Sequence, residues 1–280
     1  MNVLITGSNG YIGKSIFNSK IENVKFFHGN RQTINLFDKE SIKSFIKENK
    51  IDSIIHCAIE GSSRFKKDDA NTFYNNILIF ENLYHCRNLL HKAINLASGA
   101  EFDRETNIDF INEENIFERI PKDYYGLSKN IISKLSTYCP VVLNLRLFGC
   151  FYHNELSTRF IKNNINSYIN KKPIVIHQDR YMDFLYMNDL LNVIEHFLTI
   201  PVTCYTDINM SYLKKYKLSD IANIINELSS YKVDINVENK ISGPSYTGNG
   251  EKLNSLGLEL KGLEFGIKEC YERIKYNVLH

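Results

Sequence analysis

The chain has 280 residues, 43% of them hydrophobic, and its 34 lysines and arginines nearly balance 32 aspartates and glutamates, for a net charge of +2. That length holds one long domain or two unequal ones, and the charge balance offers no concentrated basic surface for nucleic acid, leaving a small or phosphorylated substrate as the better fit. The chain opens with no basic segment followed by an apolar stretch and a cleavage site, and no run reaches membrane-spanning length, so a soluble, cytoplasmic protein without a membrane partner is expected.

Taken in order, short apolar runs bounded by turn residues at 3–6, 24–28, 51–57, 92–97 and 141–147 read as buried strands. Segments with helical spacing lie between them, among them 39–49, 74–90 and 126–137. Strands alternating with helices predict an α/β fold built on a doubly wound parallel sheet with right-handed crossovers. After about residue 148 the rhythm changes to a helix over 158–170, a strand over 173–177 and a strand-helix segment over 184–198. We expect a larger domain over 1–150 and a smaller lobe over 151–280, with 183–200 returning to the larger domain. The six cysteines, Cys57, Cys86, Cys139, Cys150, Cys204 and Cys270, show no C-x-x-C spacing, and several sit in apolar runs. Reduced, buried thiols in a reducing compartment follow. The histidines show no ligand spacing, so no metal is expected.

Directly after the first strand comes Gly7-Ser8-Asn9-Gly10-Tyr11-Ile12-Gly13, followed by a helix. A glycine turn between strand and helix lets the backbone approach a pyrophosphate, whose charge is favoured by the N–H groups of the helix N-terminus. The preceding strand and the alternating architecture favour a dinucleotide site over an ordinary turn, with Gly7, Asn9, Gly10, Tyr11, Ile12 and Gly13 around the cofactor. Residues 1–150 are then a dinucleotide-binding Rossmann domain, and 151–280 mainly a substrate-binding lobe. The second strand leads into His28-Gly29-Asn30-Arg31, which offers an arginine for a 2′-phosphate and no carboxylate for a ribose 2′-OH. Asn30 and Arg31 therefore favour NADP(H) over NAD(H). Ala58, at the end of the third strand, is small enough to let the cofactor pass.

In Asp123-Tyr124-Tyr125-Gly126-Leu127-Ser128-Lys129, Tyr125 and Lys129 are four apart, on one face of a helix. A phenol titrates near pH 10 unless perturbed, so acid–base work at neutral pH benefits from a neighbouring ammonium. Tyr124 shares that face less well. Upstream, the fourth strand runs into Ser98-Gly99-Ala100-Glu101-Phe102, placing the Ser98 hydroxyl at the carboxyl edge of the sheet, where it can hydrogen-bond a substrate carbonyl. Each residue alone is compatible with a turn or a helix face; a glycine loop, a strand-end serine and a Tyr/Lys helix in that order form one mechanism.

With these residues the chain resembles the extended short-chain dehydrogenase/reductase family, of the NAD-dependent epimerase/dehydratase type, over nearly its whole length. The resemblance implies that Ser98 polarises the substrate carbonyl, that Tyr125 is the proton donor, and that Lys129 holds the nicotinamide ribose and lowers the tyrosine pKa. It makes the stretch from Asn76 to Leu83 the helix beside the active site, with Asn76 near the cofactor, and 144–149 the strand leading to the nicotinamide loop. It also places 183–190 near a nucleotide-sugar site and 256–267 at the C-terminal close. Met182 stands where the family commonly has an arginine, leaving Arg180 or Arg159 to meet the phosphates; Ser98, Gly99, Ala100 and Tyr125 complete the expected substrate contacts.

The segment after Ser98 lacks the Asp-Glu pair of the sugar 4,6-dehydratases, so water elimination is not expected. Residues 31–38 resemble the corresponding stretch of the GDP-fucose synthases, which use NADPH and also epimerise. Those enzymes need a cysteine where this chain has Ala100, and their histidine has no match around 157–160. The reading is therefore NADPH-dependent reduction of the 4-keto group of a nucleotide-activated sugar in glycan precursor biosynthesis. An NAD-dependent 4-epimerase is the alternative, and a non-catalytic dinucleotide-binding regulator is the alternative of another class. Glu101 is expected as an exposed loop carboxylate. By analogy with the family, a homodimer would pair the helices at 74–90 and 126–137.

Overall fold

The computed structural model describes residues 1–61, 67–200 and 205–279. In chain order the elements are β1 (Asn2–Thr6), α1 (Tyr11–Phe17), β2 (Lys25–Gly29), α2 (Lys39–Glu48), β3 (Ser53–His56), α3 (Ala70–His85), β4 (Lys92–Ser98), β5 (Ile108–Ile111), α4 (Tyr124–Ser136), β6 (Val142–Leu147), β7 (Cys150–Phe151) and α5 (Phe160–Ile169). They continue with β8 (Ile174–Gln178), β9 (Leu185–Tyr186), α6 (Met187–Thr199), β10 (Asp207–Met210), α7 (Leu218–Asn226), β11 (Ile235–Asn239), β12 (Tyr246–Gly248), α8 (Glu251–Ser255) and α9 (Gly262–Leu279).

Six strands form the central sheet in the order β10-β6-β4-β3-β1-β2. The pairs from β2 through β6 are parallel, with Thr6 opposite His56, His56 opposite Asn95 and Asn95 opposite Asn144. This is the doubly wound α/β sheet that the alternating pattern predicts. Strands β3 and β6 are buried along their whole length, which is why they read as apolar runs rather than as alternating ones. Between α2, α3 and the sheet, Leu4, Ile42, Ile46, Ile54, Ile79 and Leu83 form one core cluster. Ile42 and Ile46, four apart on α2, supply the buried stripe of that helix.

Strand β10 was not among the expected strands. Its Asp207 and Asn209 break the apolar pattern, yet both are buried because they serve the buried Arg146 of β6.

The chain divides into two compact units, one comprising Met1–Glu105, Glu113–Leu147 and Val193–Asn209, the other Thr106–Asn112, Phe148–Asn192 and Met210–His280. The division differs from the expected boundaries at several points, among them a returning segment that ends at Asn209 rather than at 200. Residues 106–112 join the second unit because β5 pairs with β12. The returning segment begins inside α6, at Val193 rather than at 183. The end of α6 is held by Lys92, whose Nζ donates to the carbonyls of Phe197 and, at 2.7 Å, Ile200, a cation on the negative end of a helix. The second unit has its own core, including Phe151, Ile165, Tyr168, Ile221 and Ile267.

Cys57, Cys86, Cys139, Cys150 and Cys270 are free thiols; Cys204 lies outside the described residues. Among the described residues, no helix is long and apolar enough to cross a membrane, and no group of three potential ligands could hold a metal ion.

Candidate active site

The glycine turn is fixed by sterics. Gly7 has φ +67°, and a Cβ on it would lie 2.8 Å from the backbone of Ala58. A Cβ on Gly13 would lie 2.3 Å from the Gly7 carbonyl oxygen. Any larger residue at either position would push α1 or the β3 end away from the turn. Gly10 begins α1 with no side-chain cap, and the first turn of that helix carries no acidic residue. Its N-terminal N–H groups and dipole therefore favour a phosphate. Asn9 and Gly10 are exposed, while Tyr11 and Ile12 are half-buried. The Thr6 hydroxyl ties the neighbouring strand end to this turn, accepting from the N–H groups of Cys57 and Ala58 at 3.2 and 3.3 Å. The bare backbones of Gly7 and Gly13 thus let the turn close on itself and on the β3 end, bringing Gly7, Gly10, Gly13 and Ala58 together.

Arg31 follows β2 with its side chain 94% exposed, and its Nη2 lies 3.8 Å from Glu60 Oε1. Glu60 is a carboxylate that the sequence reading missed, because it comes from the loop after β3 and not from the end of β2. Asn30 is engaged locally, its Oδ1 accepting the Gln32 N–H at 2.9 Å. Asn76, expected beside the cofactor, is buried and its amide is taken up by the protein. Its Oδ1 accepts the Glu60 N–H, and its Nδ2 donates to the Glu60 carbonyl and to Ser128 Oγ, at 2.8, 3.0 and 3.0 Å. It acts as a brace between the loop after β3 and α4.

Ser98 ends β4, and Tyr125 and Lys129 lie one turn apart on α4. Asp123 caps that helix by accepting the Gly126 N–H at 2.8 Å. Gly126 lets the helix approach the turn after β4, since a Cβ there would stand 2.7 Å from the Ala100 carbonyl oxygen. Tyr125 is buried within the influence of the Ser98 hydroxyl, whereas Tyr124 is exposed. Burial pushes the Tyr125 phenol up; the Ser98 hydroxyl and the Arg104 guanidinium pull it down. Lys129 is buried, its Nζ donating to the Leu96 carbonyl at 2.7 Å, and burial lowers its pKa to about 8 against the pull of Glu101. Gly99 and Ala100 are buried in a short 3-10 turn, so the side chain of Ala100 packs inward.

Glu101 is not an exposed loop carboxylate: it is fully buried. Its Oε1 accepts the Ser98 N–H at 2.9 Å and its Oε2 accepts Arg146 Nε at 2.7 Å. Arg146 also donates to Asp207 and Asn209. Burial raises the Glu101 carboxyl, against the pull of Arg146. No local pattern signals this pairing, since Arg146 is 45 residues away in the chain.

Arg159 and Arg180 belong to the second unit. Arg159 is exposed at the N-cap of α5, and Arg180 is half-buried beside Met182. Asp183, in the stretch expected near the nucleotide-sugar site, is buried and occupied by Lys215, Ser211 and the Gly248 N–H.

A buried tyrosine and lysine on one helix face, a strand-end serine beside that tyrosine, and a glycine turn at the first strand make up the candidate dinucleotide-dependent site on a doubly wound sheet. Residues 3–210 match the model of the NAD dependent epimerase/dehydratase family, and the chain belongs to that family. No curated protein matches the chain. Among solved structures, the chain is similar to a GDP-L-fucose synthetase from Naegleria fowleri bound to NADP, with 16% identity over 99% of this chain and 93% of that one and a TM-score of 0.80. It is similar to a GDP-mannoheptose C4 reductase from Campylobacter jejuni with NADP bound, with 20% identity over 99% and 98% and a TM-score of 0.77. It is also similar to a UDP-glucose 4-epimerase from Thermotoga maritima, with 16% identity over all of both chains and a TM-score of 0.79. At these identities the likeness establishes the fold.

Proposed function

We propose that this protein reduces the 4-keto group of a nucleotide-activated sugar with NADPH. The observation that carries the reading is the meeting of Ser98, at the end of β4, with the buried Tyr125, one helical turn from the buried Lys129. Gly7, Gly10, Gly13, Ala58 and Arg31 would hold the dinucleotide, which when bound supplies hydride chemistry. The chain's own residues do the rest. Ser98 donates a hydrogen bond to the carbonyl oxygen and polarises it. The Tyr125 O–H bond breaks, its proton goes to that oxygen, and the phenolate left behind is stabilised by nearby positive charge and by Ser98. Lys129, fixed on the Leu96 carbonyl, holds a cation close to the cofactor turn. Arg159 and Arg180 are the proposed phosphate contacts, and NADPH-dependent glycan precursor synthesis in the cytoplasm is the proposed setting. A homodimer through α3 and α4, which expose Tyr74 and Leu135, belongs to the same proposal.

One observation favours the second reading, NAD-dependent 4-epimerisation. Glu60 stands beside Arg31, and a carboxylate there suits a ribose 2′-OH. An isotope experiment separates the two readings. With NADPH deuterated at the transferred position, a reductase places one deuterium at sugar C4 and consumes one cofactor per product. Interconversion of two sugars without net cofactor consumption would overturn the reductase reading in favour of the epimerase.

A further inference from the structure

Asp103 adopts a left-handed backbone conformation, φ 68°, directly after the turn Gly99–Phe102. A non-glycine residue in that region is uncommon and reverses the chain sharply. The reversal brings the next residue, Arg104, over the start of α4. Its guanidinium carbon stands 5.7 Å from the centre of the Tyr125 ring, and its Nη2 donates to Asp123 Oδ1 at 2.8 Å. The same oxygen caps α4 through the Gly126 N–H. One carboxylate therefore fixes both the helix that carries Tyr125 and the cation that covers it.

Resting on the reading of Tyr125 as proton donor, we propose that Arg104 is a positioning residue of the reaction: clamped by Asp123, its guanidinium is the charge that stabilises the Tyr125 phenolate as the proton leaves. Among the described residues, the charged groups acting on the phenol are Arg104 and Glu101 from the segment after β4 and Asp123 at the N-cap of α4, with Lys129 one turn further along that helix. The two carboxylates oppose the phenolate, but each is already neutralised, Glu101 by Arg146 and Asp123 by Arg104 itself. Lys129 directs its ammonium to the Leu96 carbonyl. Burial raises the phenol, and after the Ser98 hydroxyl the Arg104 charge is the next influence drawing it down. The Arg104 side chain is 39% exposed, so water screens part of its field.

The test compares wild type with Arg104→Gln and Arg104→Lys, using kcat and KM against pH in the reductive direction. In Arg104→Gln the alkaline limb of kcat moves up by about one pH unit, and kcat at neutral pH falls several-fold, roughly three to ten, while KM for the ketosugar changes by less than about twofold. Arg104→Lys restores most of both. A second readout needs no turnover. The ultraviolet phenolate signal of Tyr125, isolated by subtracting Tyr125→Phe from each protein, is smaller at about pH 10 in Arg104→Gln than in wild type. An unmoved kcat profile and phenolate signal with a raised KM would make Arg104 a substrate contact and overturn the proposal. If Tyr125→Phe keeps full turnover, the reading of Tyr125 as proton donor falls, and the phenolate signal alone still decides whether Arg104 sets its ionisation.

Discussion

The Ser98 backbone N–H donates to Glu101 Oε1 at 2.9 Å, so the residue proposed to polarise the carbonyl is held by a carboxylate that no solvent reaches. Because the other Glu101 oxygen is bound to Arg146, the strand end, the turn after it and β6 are fixed as one unit. Glu101→Ala would leave Arg146 in the interior with Asp207 and Asn209 alone. Breaking a buried ion pair from one side costs about 3 to 5 kcal/mol. Urea unfolding should show a loss of that size, with a smaller loss for Glu101→Gln, which keeps an acceptor for Ser98. A Glu101→Ala protein as stable as wild type would contradict the arrangement.

His56 makes the fold sensitive to acid. It is buried, its Nδ1 lies 2.8 Å from Thr6 Oγ1, and burial first, with the Lys129 charge second, lowers its pKa from 6.5 to about 3. Between those values the unfolded chain binds a proton that the folded chain refuses. Stability is therefore fully present above pH 6.5 and is lost as pH falls toward 3, by an amount on the order of 5 kcal/mol. In His56→Gln the urea midpoint should decline less over that window. Parallel declines in the two proteins would show that His56 titrates normally.

Lys129 has the opposite sense. Its pKa falls from 10.5 to about 8 on burial, so below about pH 8 the folded protein carries an ammonium in a place that disfavours it. Stability rises as pH increases from about 8 toward 10.5, where the unfolded chain holds the proton and the folded one does not. Lys129→Met removes a penalty on the order of 3 kcal/mol at neutral pH, less the lost bond to Leu96. We expect a variant that is inactive yet melts higher than wild type at neutral pH, with the gain shrinking above about pH 8. A lower melting temperature at neutral pH would show that the Leu96 bond outweighs burial.

Arg31 sets cofactor choice in this account. A charge-assisted bond to a 2′-phosphate is strong, but Arg31 is exposed and shares its charge with Glu60. Arg31→Ala should weaken NADPH binding by about five- to tenfold and leave NADH binding within about twofold. Calorimetric titration of each cofactor reads this directly. Equal losses for both cofactors would remove Arg31 from the 2′-phosphate.

Much of this site was legible because its chemistry is local in sequence. The turn from Gly7 to Gly13 and the pair Tyr125 and Lys129 are set by spacing on single elements, and the central strands read clearly because both faces are buried. What escaped depends on partners far apart in the chain. Asp207 and Asn209 disguise β10, since their polarity makes sense only against Arg146. Glu101 read as a surface residue for the same reason. Asn76 was placed beside the cofactor by resemblance, but its amide groups hold Glu60 and Ser128 instead. Arg104 left no signal in the pattern, because a single left-handed residue, Asp103, determines where it lands.

In the proposed reaction Tyr125 protonates a ketosugar carbonyl while NADPH is consumed. The measurement is NADPH absorbance after adding a panel of GDP-, CDP-, UDP- and dTDP-linked 4-keto-6-deoxy sugars to wild type and to Tyr125→Phe. Consumption is expected with one nucleotide class, falling at least about a hundredfold in the variant through loss of a general acid. Consumption that survives in Tyr125→Phe, or no consumption with any ketosugar, would contradict it.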